Sequence, residues 1–181
     1  LTILSDAEKT ALYGIPSFDD FQRIEFFAMT EAERSLALQR RGILKQVYCM
    51  LQIGYFKATQ AFFQFSLDDV PPEDVTFLMQ RYFPGETLVV KPMSTKEYYA
   101  QRQEISALFE YRLWTANDLP VLRDKAKLLV RTDVTATFLL AELMVFLMAQ
   151  RIVRPGYSTL QTIIRDALSA ERDRLEKLVE A

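Results

Sequence analysis

Three carboxylate pairs, Asp19-Asp20, Asp68-Asp69 and Glu73-Asp74, are the groups here best suited to acid–base or metal-assisted chemistry. A two-metal phosphoryl-transfer site can be built from carboxylates alone. Each pair, however, falls at a helix start or in a loop, where acids favour the helix N-terminus. Such metal sites usually draw their ligands from strand ends, and strand-like alternation is nearly absent. The sequence has no His, which removes Ser-His-Asp and Cys-His nucleophile systems and His-ligated metals. The lone Cys49 has no base partner and allows no disulfide framework. No cofactor or metal is expected, and catalysis is not expected of this chain.

A second set of residues suits recognition. Leu160, Ile163, Ile164, Ala167 and Leu168 fall at helical spacing. That leaves Thr159, Gln161, Thr162 and Arg165 on the other side of the helix. Short polar and amide side chains with Arg are the types that reach base edges in a major groove. Ser158 and the free N–H groups beside it suit a phosphate; Ser158 with Gln161 also reads as a capping box. A second candidate runs from Ile43 to Phe63. There Ile43, Leu44, Val47, Tyr48, Met50 and Leu51 form the apolar face, opposite Lys45, Gln46, Cys49 and Gln52. Gly54 is expected to give a turn, followed by Lys57, Thr59 and Gln60. The aromatic run Phe62, Phe63 and Phe65 reads as core.

Helices are expected to carry these residues. The 181-residue chain is 50% hydrophobic and 25% charged, enough to bury a real core. Ser5 with Glu8, Thr30 with Glu33, and Ser94 with Glu97 are expected capping boxes. Ser17, Asn117 or Asp118, and Thr132 or Asp133 are expected caps for further helices. Gly14, Gly42, Pro84-Gly85 and Pro155-Gly156 punctuate the chain. The apolar stretch Phe138 to Met148 is too short to cross a bilayer, which needs about 20 residues, and reads as a buried helix. The expectation is an all-α fold of two helical modules of helix–turn–helix type, residues 1–84 and 94–181.

The net charge of −2 argues at first against nucleic acid. The charge is segregated, though. Residues 1–90 carry 8 basic and 12 acidic groups, residues 91–181 carry 14 and 12. From Arg34 to Leu67 there are five cations (Arg34, Arg40, Arg41, Lys45, Lys57) and no acid. From Leu143 to Arg165 there are three (Arg151, Arg154, Arg165), again with no acid. Arg123, Lys125, Lys127 and Arg131 crowd a further helix. DNA carries about one charge per 1.7 Å of duplex, so a local basic face can bind it whatever the total.

With these residues in view, the chain resembles the N-terminal part of bacterial replicative transposases of the Tn-three family. Leu4-Ser5-Asp6-Ala7-Glu8 with Ala11-Leu12-Tyr13-Gly14 carries the likeness first. Phe26-Phe27-Ala28-Met29-Thr30-Glu31-Ala32-Glu33, then Arg40-Arg41, continue it. Leu51-Gln52 with Tyr55, Glu104-Ile105 through Tyr111-Arg112, and Arg151-Ile152-Val153-Arg154-Pro155 through Ser158-Thr159-Leu160 complete it. The resemblance implies sequence-specific binding to the transposon's terminal inverted repeats. It also implies a catalytic domain far downstream and absent here. The chain opens at Leu1 without Met, and a fragment of a longer protein is expected.

On this reading Arg40, Arg41, Lys45, Arg151 and Arg154 grip phosphates, Thr159, Gln161, Thr162 and Arg165 lie nearest the bases, and Lys57 and Ser158 are further DNA-binding residues, Ser158 suited to a phosphate. The expected partner is double-stranded DNA, with no membrane, in a cytoplasmic, nucleoid-associated bacterial setting. A homodimer of the full-length protein is compatible with it. The alternative is a helical protein–protein or dimerisation module. A contiguous positive strip favours DNA; the same cations neutralised by nearby acids favour protein.

Overall fold

A computed structural model describes residues 2–180. Among them are nine α-helices and one 3-10 turn, with a single isolated bridge in place of any strand. The chain is all-α. It divides into two compact units that are not consecutive in sequence. One, the α4 unit, is Gly14–Tyr111. The other, the α9 unit, joins the stretch up to Tyr13 to the stretch from Arg112 onward. The division expected at residues 85–93 falls inside the α4 unit. The helix after that connector packs back on its predecessors, and the first helix belongs with the last.

The α4 unit contains α2 (Asp20–Phe27), α3 (Glu31–Leu38), α4 (Ile43–Thr59), α5 (Pro72–Tyr82) and α6 (Thr95–Leu108). Its centre is α4, in which every residue from Val47 to Phe56 is buried. A helix that is apolar all round must be surrounded, and α2, α3, α5 and α6 pack against it. The turn expected at Gly54 does not form. Gly54 lies mid-helix, where an added Cβ would stand 2.2 Å from the Phe27 ring, so it is the close approach of Phe27 that calls for glycine here. The second helix–turn–helix candidate is therefore one continuous helix. Cys49 and Gln52, expected on its solvent side, are buried.

Local signals set most helix starts. Thr30 and Glu33 form the expected reciprocal box, and the Ser94 hydroxyl accepts from the Glu97 N–H at 3.2 Å. At α2 the cap is Asp19 with Gln22, not Ser17. Asp19 sits directly before the helix, and its carboxylate reaches the Gln22 N–H at 2.7 Å.

The α9 unit contains α1 (Asp6–Tyr13), the 3-10 turn Ala116–Asp118, α7 (Leu119–Leu129), α8 (Ala136–Ala149) and α9 (Tyr157–Val179). Its core joins Leu122, Ala126, Leu139, Leu143, Leu147, Leu160, Ile163, Ile164 and Ala167. The Ser5–Glu8 box opens α1 as expected. Asp118 precedes α7, but its carboxylate turns back to Arg112 and Thr115 instead of capping. The Arg112 guanidinium holds that carboxyl down to about 2.

Candidate nucleic-acid interface

The α8–α9 pair holds the stronger recognition candidate. At the end of α8, Arg151 takes a left-handed backbone, φ +53°. The Arg151 N–H reaches the Met148 carbonyl at 3.1 Å and the Ile152 N–H reaches that of Leu147 at 2.9 Å. That is a Schellman stop with Arg in the place usually held by Gly. Ile152 and Leu147 are both in the core. The chain then runs extended, and Arg112 and Ile152 form the parallel bridge. The Arg112 N–H donates to the Arg151 carbonyl, and the Val153 N–H to that of Arg112, each at 2.9 Å. The connection, 150–156, is longer than the tight turn expected at 153–157. The helices run antiparallel: at the end away from this turn, Val134 and Ala136 share a groove with Leu168, Glu171 and Leu175.

Helix α9 starts two residues earlier than expected. Gly156 is its cap and makes no side-chain bond, so Ser158 lies inside the first turn and does not cap. No acid sits in that turn. The positive end of the helix is therefore unmatched by a carboxylate of its own. Leu160, Ile163, Ile164 and Ala167 are buried as expected. Ser158, Thr162 and Arg165 are exposed, while Thr159 and Gln161 are half-buried. Spacings of four and three residues put the exposed trio on one outward stripe. Arg165 bonds its neighbour Asp166 at 3.1 Å, with both side chains about half exposed. Exposed pairs of this kind contribute little and exchange readily.

Arg154 serves the fold. Its guanidinium donates to the Leu12 carbonyl and lies 4.6 Å over the Tyr13 ring. Burial lowers its pKa, with the Tyr13 hydroxyl opposing. Around it, the Leu4 N–H donates to the Tyr157 hydroxyl at 3.1 Å, and the Tyr13 and Tyr157 rings meet edge-on at 5.7 Å. Lys9 sits 4.9 Å over Tyr157. Arg154 thus ties α1 to the start of α9, a role that no local pattern near residue 154 signals. Arg154→Ala is expected to cost about 2 kcal/mol of stability from one charged hydrogen bond and one cation–π contact. Arg154→Lys restores little, since only the planar guanidinium makes both contacts. Thermal unfolding checks this; an unchanged midpoint in Arg154→Ala would contradict it.

The acid-free window 34–67 is not acid-free in space. Arg40 is paired with Glu104 and with Glu97, the latter at 3.6 Å. Lys45 lies 3.4 Å from Glu97. Lys57 lies 3.1 Å from Glu33 and donates to the Ala28 carbonyl at 2.9 Å. The acids come from α3 and α6, outside the window or at its edge. Arg41 is exposed. Cys49 is fully buried, and burial pushes its thiol up to about 12 against the pull of Arg40. Among the described residues no three Asp, Glu, Cys or His side chains converge as a cation site would need. No helix among them is long and apolar enough to cross a membrane.

Residues 3–167 match a protein family described as a domain of unknown function, DUF4158. The chain belongs to this family. No curated protein matches it. The DUF4158 match begins at Ile3, the first core residue of the arm before α1, and ends at Ala167 on α9. Beyond Ala167 only Glu171 of α9 is buried. The family span thus contains the outward stripe of α9 and the α1 clamp, and stops where burial on α9 nearly ends.

Proposed function

We propose that the chain binds double-stranded DNA sequence-specifically, as the non-catalytic N-terminal part of a transposase reading terminal inverted repeats. The observation that carries this is the stripe Ser158, Thr162 and Arg165. It faces outward while the opposite face of α9 is locked into a core. Hydroxyls and a guanidinium on a rigid helix suit base-edge contacts, and the uncapped start of α9 suits a phosphate. The resemblance of the flanking sequence to Tn-three transposases supports the choice of inverted repeats. On this proposal the DNA contact is assigned to the α9 unit.

Arg165→Ala tests it. If Arg165 is bidentate to guanine, the variant loses about 1–3 kcal/mol on the inverted repeat and almost nothing on a scrambled duplex. Equal loss on both would make Arg165 a phosphate contact and remove the base-reading role of the stripe.

A protein-binding role for the α4 unit is favoured by a different observation. Its cations Arg40, Lys45 and Lys57 are matched by Glu97, Glu104 and Glu33. Phe21 and Ile24, three residues apart on α2, are 75% and 54% exposed. Matched charge beside exposed apolar side chains suits contact with protein better than contact with a polyanion.

A further inference from the structure

We infer that α7 supplies a second DNA-backbone contact, made by Arg123, Lys127 and Arg131. The inference rests on the DNA-binding reading and extends it to a helix outside the α8–α9 pair. The three residues are spaced by four, so they stack along one side of α7, with Arg131 one residue past the C-cap Val130. All three are exposed. Leu122, Ala126 and Val130 are buried, and α7 packs on both α8 and α9. Lys125 points the other way, 5.6 Å over the Phe146 ring of α8. With that flank against α8, the flank bearing Arg123 and Lys127 lies on the α9 side. The Glu171 carboxyl of α9 is held below its usual range chiefly by the bond from Arg174, with a smaller pull from Arg131.

The charge on this stripe is poorly matched. Arg123 has no ion pair among the described residues. Lys127 lies 3.7 Å from Asp124, with both side chains mostly exposed. On α9, Asp166 is occupied by Arg165, and Glu171 by Arg174 at 2.6 and 2.9 Å. This is the reverse of the α4 unit, where Arg40 and Lys57 are largely buried against their partners. The macrodipole favours cations at the C-terminal end of α7. It does not account for Arg123, which stands near the start. Eight residues of helix span about 12 Å. Along one DNA strand that length passes three to four phosphates, at about 3.4 Å each. A linear row of solvent-facing cations suits such a row better than it suits a single carboxylate.

The test is the salt dependence of binding, read by fluorescence anisotropy with a mixed-sequence duplex between roughly 50 and 200 mM salt. The triple variant Arg123→Gln, Lys127→Gln, Arg131→Gln is expected to lower the slope of log K against log salt by about 2 to 3, near 0.9 per contact. The charge-keeping variant Arg123→Lys, Lys127→Arg, Arg131→Lys should retain the wild-type slope. If the Gln triple does not fold, each single Gln variant should still lower the slope by about 1. A folded Gln triple with the wild-type slope would overturn the inference while leaving DNA binding intact. A wild-type chain that binds no duplex would overturn both.

Discussion

Gly54→Ala is expected to destabilise the α4 unit by about 3 kcal/mol, although alanine is the better helix former. In an open helix the exchange gains about 1 kcal/mol. Here the new Cβ would meet two Phe27 ring carbons at 2.2 and 2.3 Å, with the Phe26 carbonyl oxygen at 3.3 Å. Phe27 is fully buried, and its ring is hemmed by Phe18, Tyr55 and Phe77 at 5.5, 5.8 and 6.2 Å. It has no free direction in which to turn. Overpacking of this kind typically costs about 1–3 kcal/mol and sometimes more. Urea unfolding of the full chain measures it. Phe27→Leu, added to Gly54→Ala, should recover part of the loss, because the two sites share one contact. A Gly54→Ala chain at least as stable as wild type would show that α2 does not press on α4 as described.

Asp74→Ala is expected to cost the same unit about 3–5 kcal/mol. The Asp74 carboxylate is fully buried at the start of α5. It accepts from Arg23 Nε at 2.9 Å and from the Tyr55 hydroxyl at 2.6 Å. Arg23 also bonds the Phe18 carbonyl at 3.0 Å and Asp20 at 2.7 Å. One carboxylate therefore joins α2, α4 and α5. Burial and the bond to Asp74 push the Tyr55 pKa upward, so the hydroxyl remains a donor. Truncating Asp74 leaves a largely buried guanidinium with only the exposed Asp20 as an acid. Tyr55→Phe removes one neutral donor to a charge and should cost less, about 1–3 kcal/mol. The order Asp74→Ala above Tyr55→Phe, read from unfolding curves, is the check. Equal, small losses would mean that water replaces the carboxylate.

These two sites also show where the sequence is and is not legible. Gly42 and Gly54 look alike as punctuation. Gly42 has φ +92° and does precede a helix, whereas Gly54 is a packing glycine whose cause, Phe27, lies far back in the chain. The boxes at Ser5 and Thr30 are readable because both partners lie within one turn; at Ser94 only the hydroxyl caps, and the Glu97 carboxylate turns to Arg40, Lys45 and Gln101 instead of closing the box. Asp19 displaced Ser17 by the same local chemistry. Ser158 lost its capping role to Gly156. The outward positions of Thr162 and Arg165 are legible in the spacing of Leu160, Ile163, Ile164 and Ala167.

Charge was least legible. A window without acids describes the chain, not its surroundings. Glu97 and Glu104 reach Arg40 and Lys45 from α6, across a connector that looked like a boundary. Arg154 reads as one more surface cation until the end of α1, Leu12 and Tyr13, is seen to lie against it. In contrast, the four-residue spacing of Arg123, Lys127 and Arg131 was on view all along. What the sequence lacks is which flank of α7 turns to α8, shown by Lys125 over Phe146, and that Arg123, Lys127 and Arg131 are all exposed.

On the proposed function, the α9 unit reads a DNA sequence. An anisotropy titration of the chain against the host element's terminal inverted repeat and a scrambled duplex, at two salt concentrations, tests it most directly. Phosphate contacts should make both affinities fall with salt, while base contacts keep the repeat tighter at each. A preference of at least about tenfold for the repeat is expected, worth roughly one good base contact. Equal affinity for the two duplexes would contradict it.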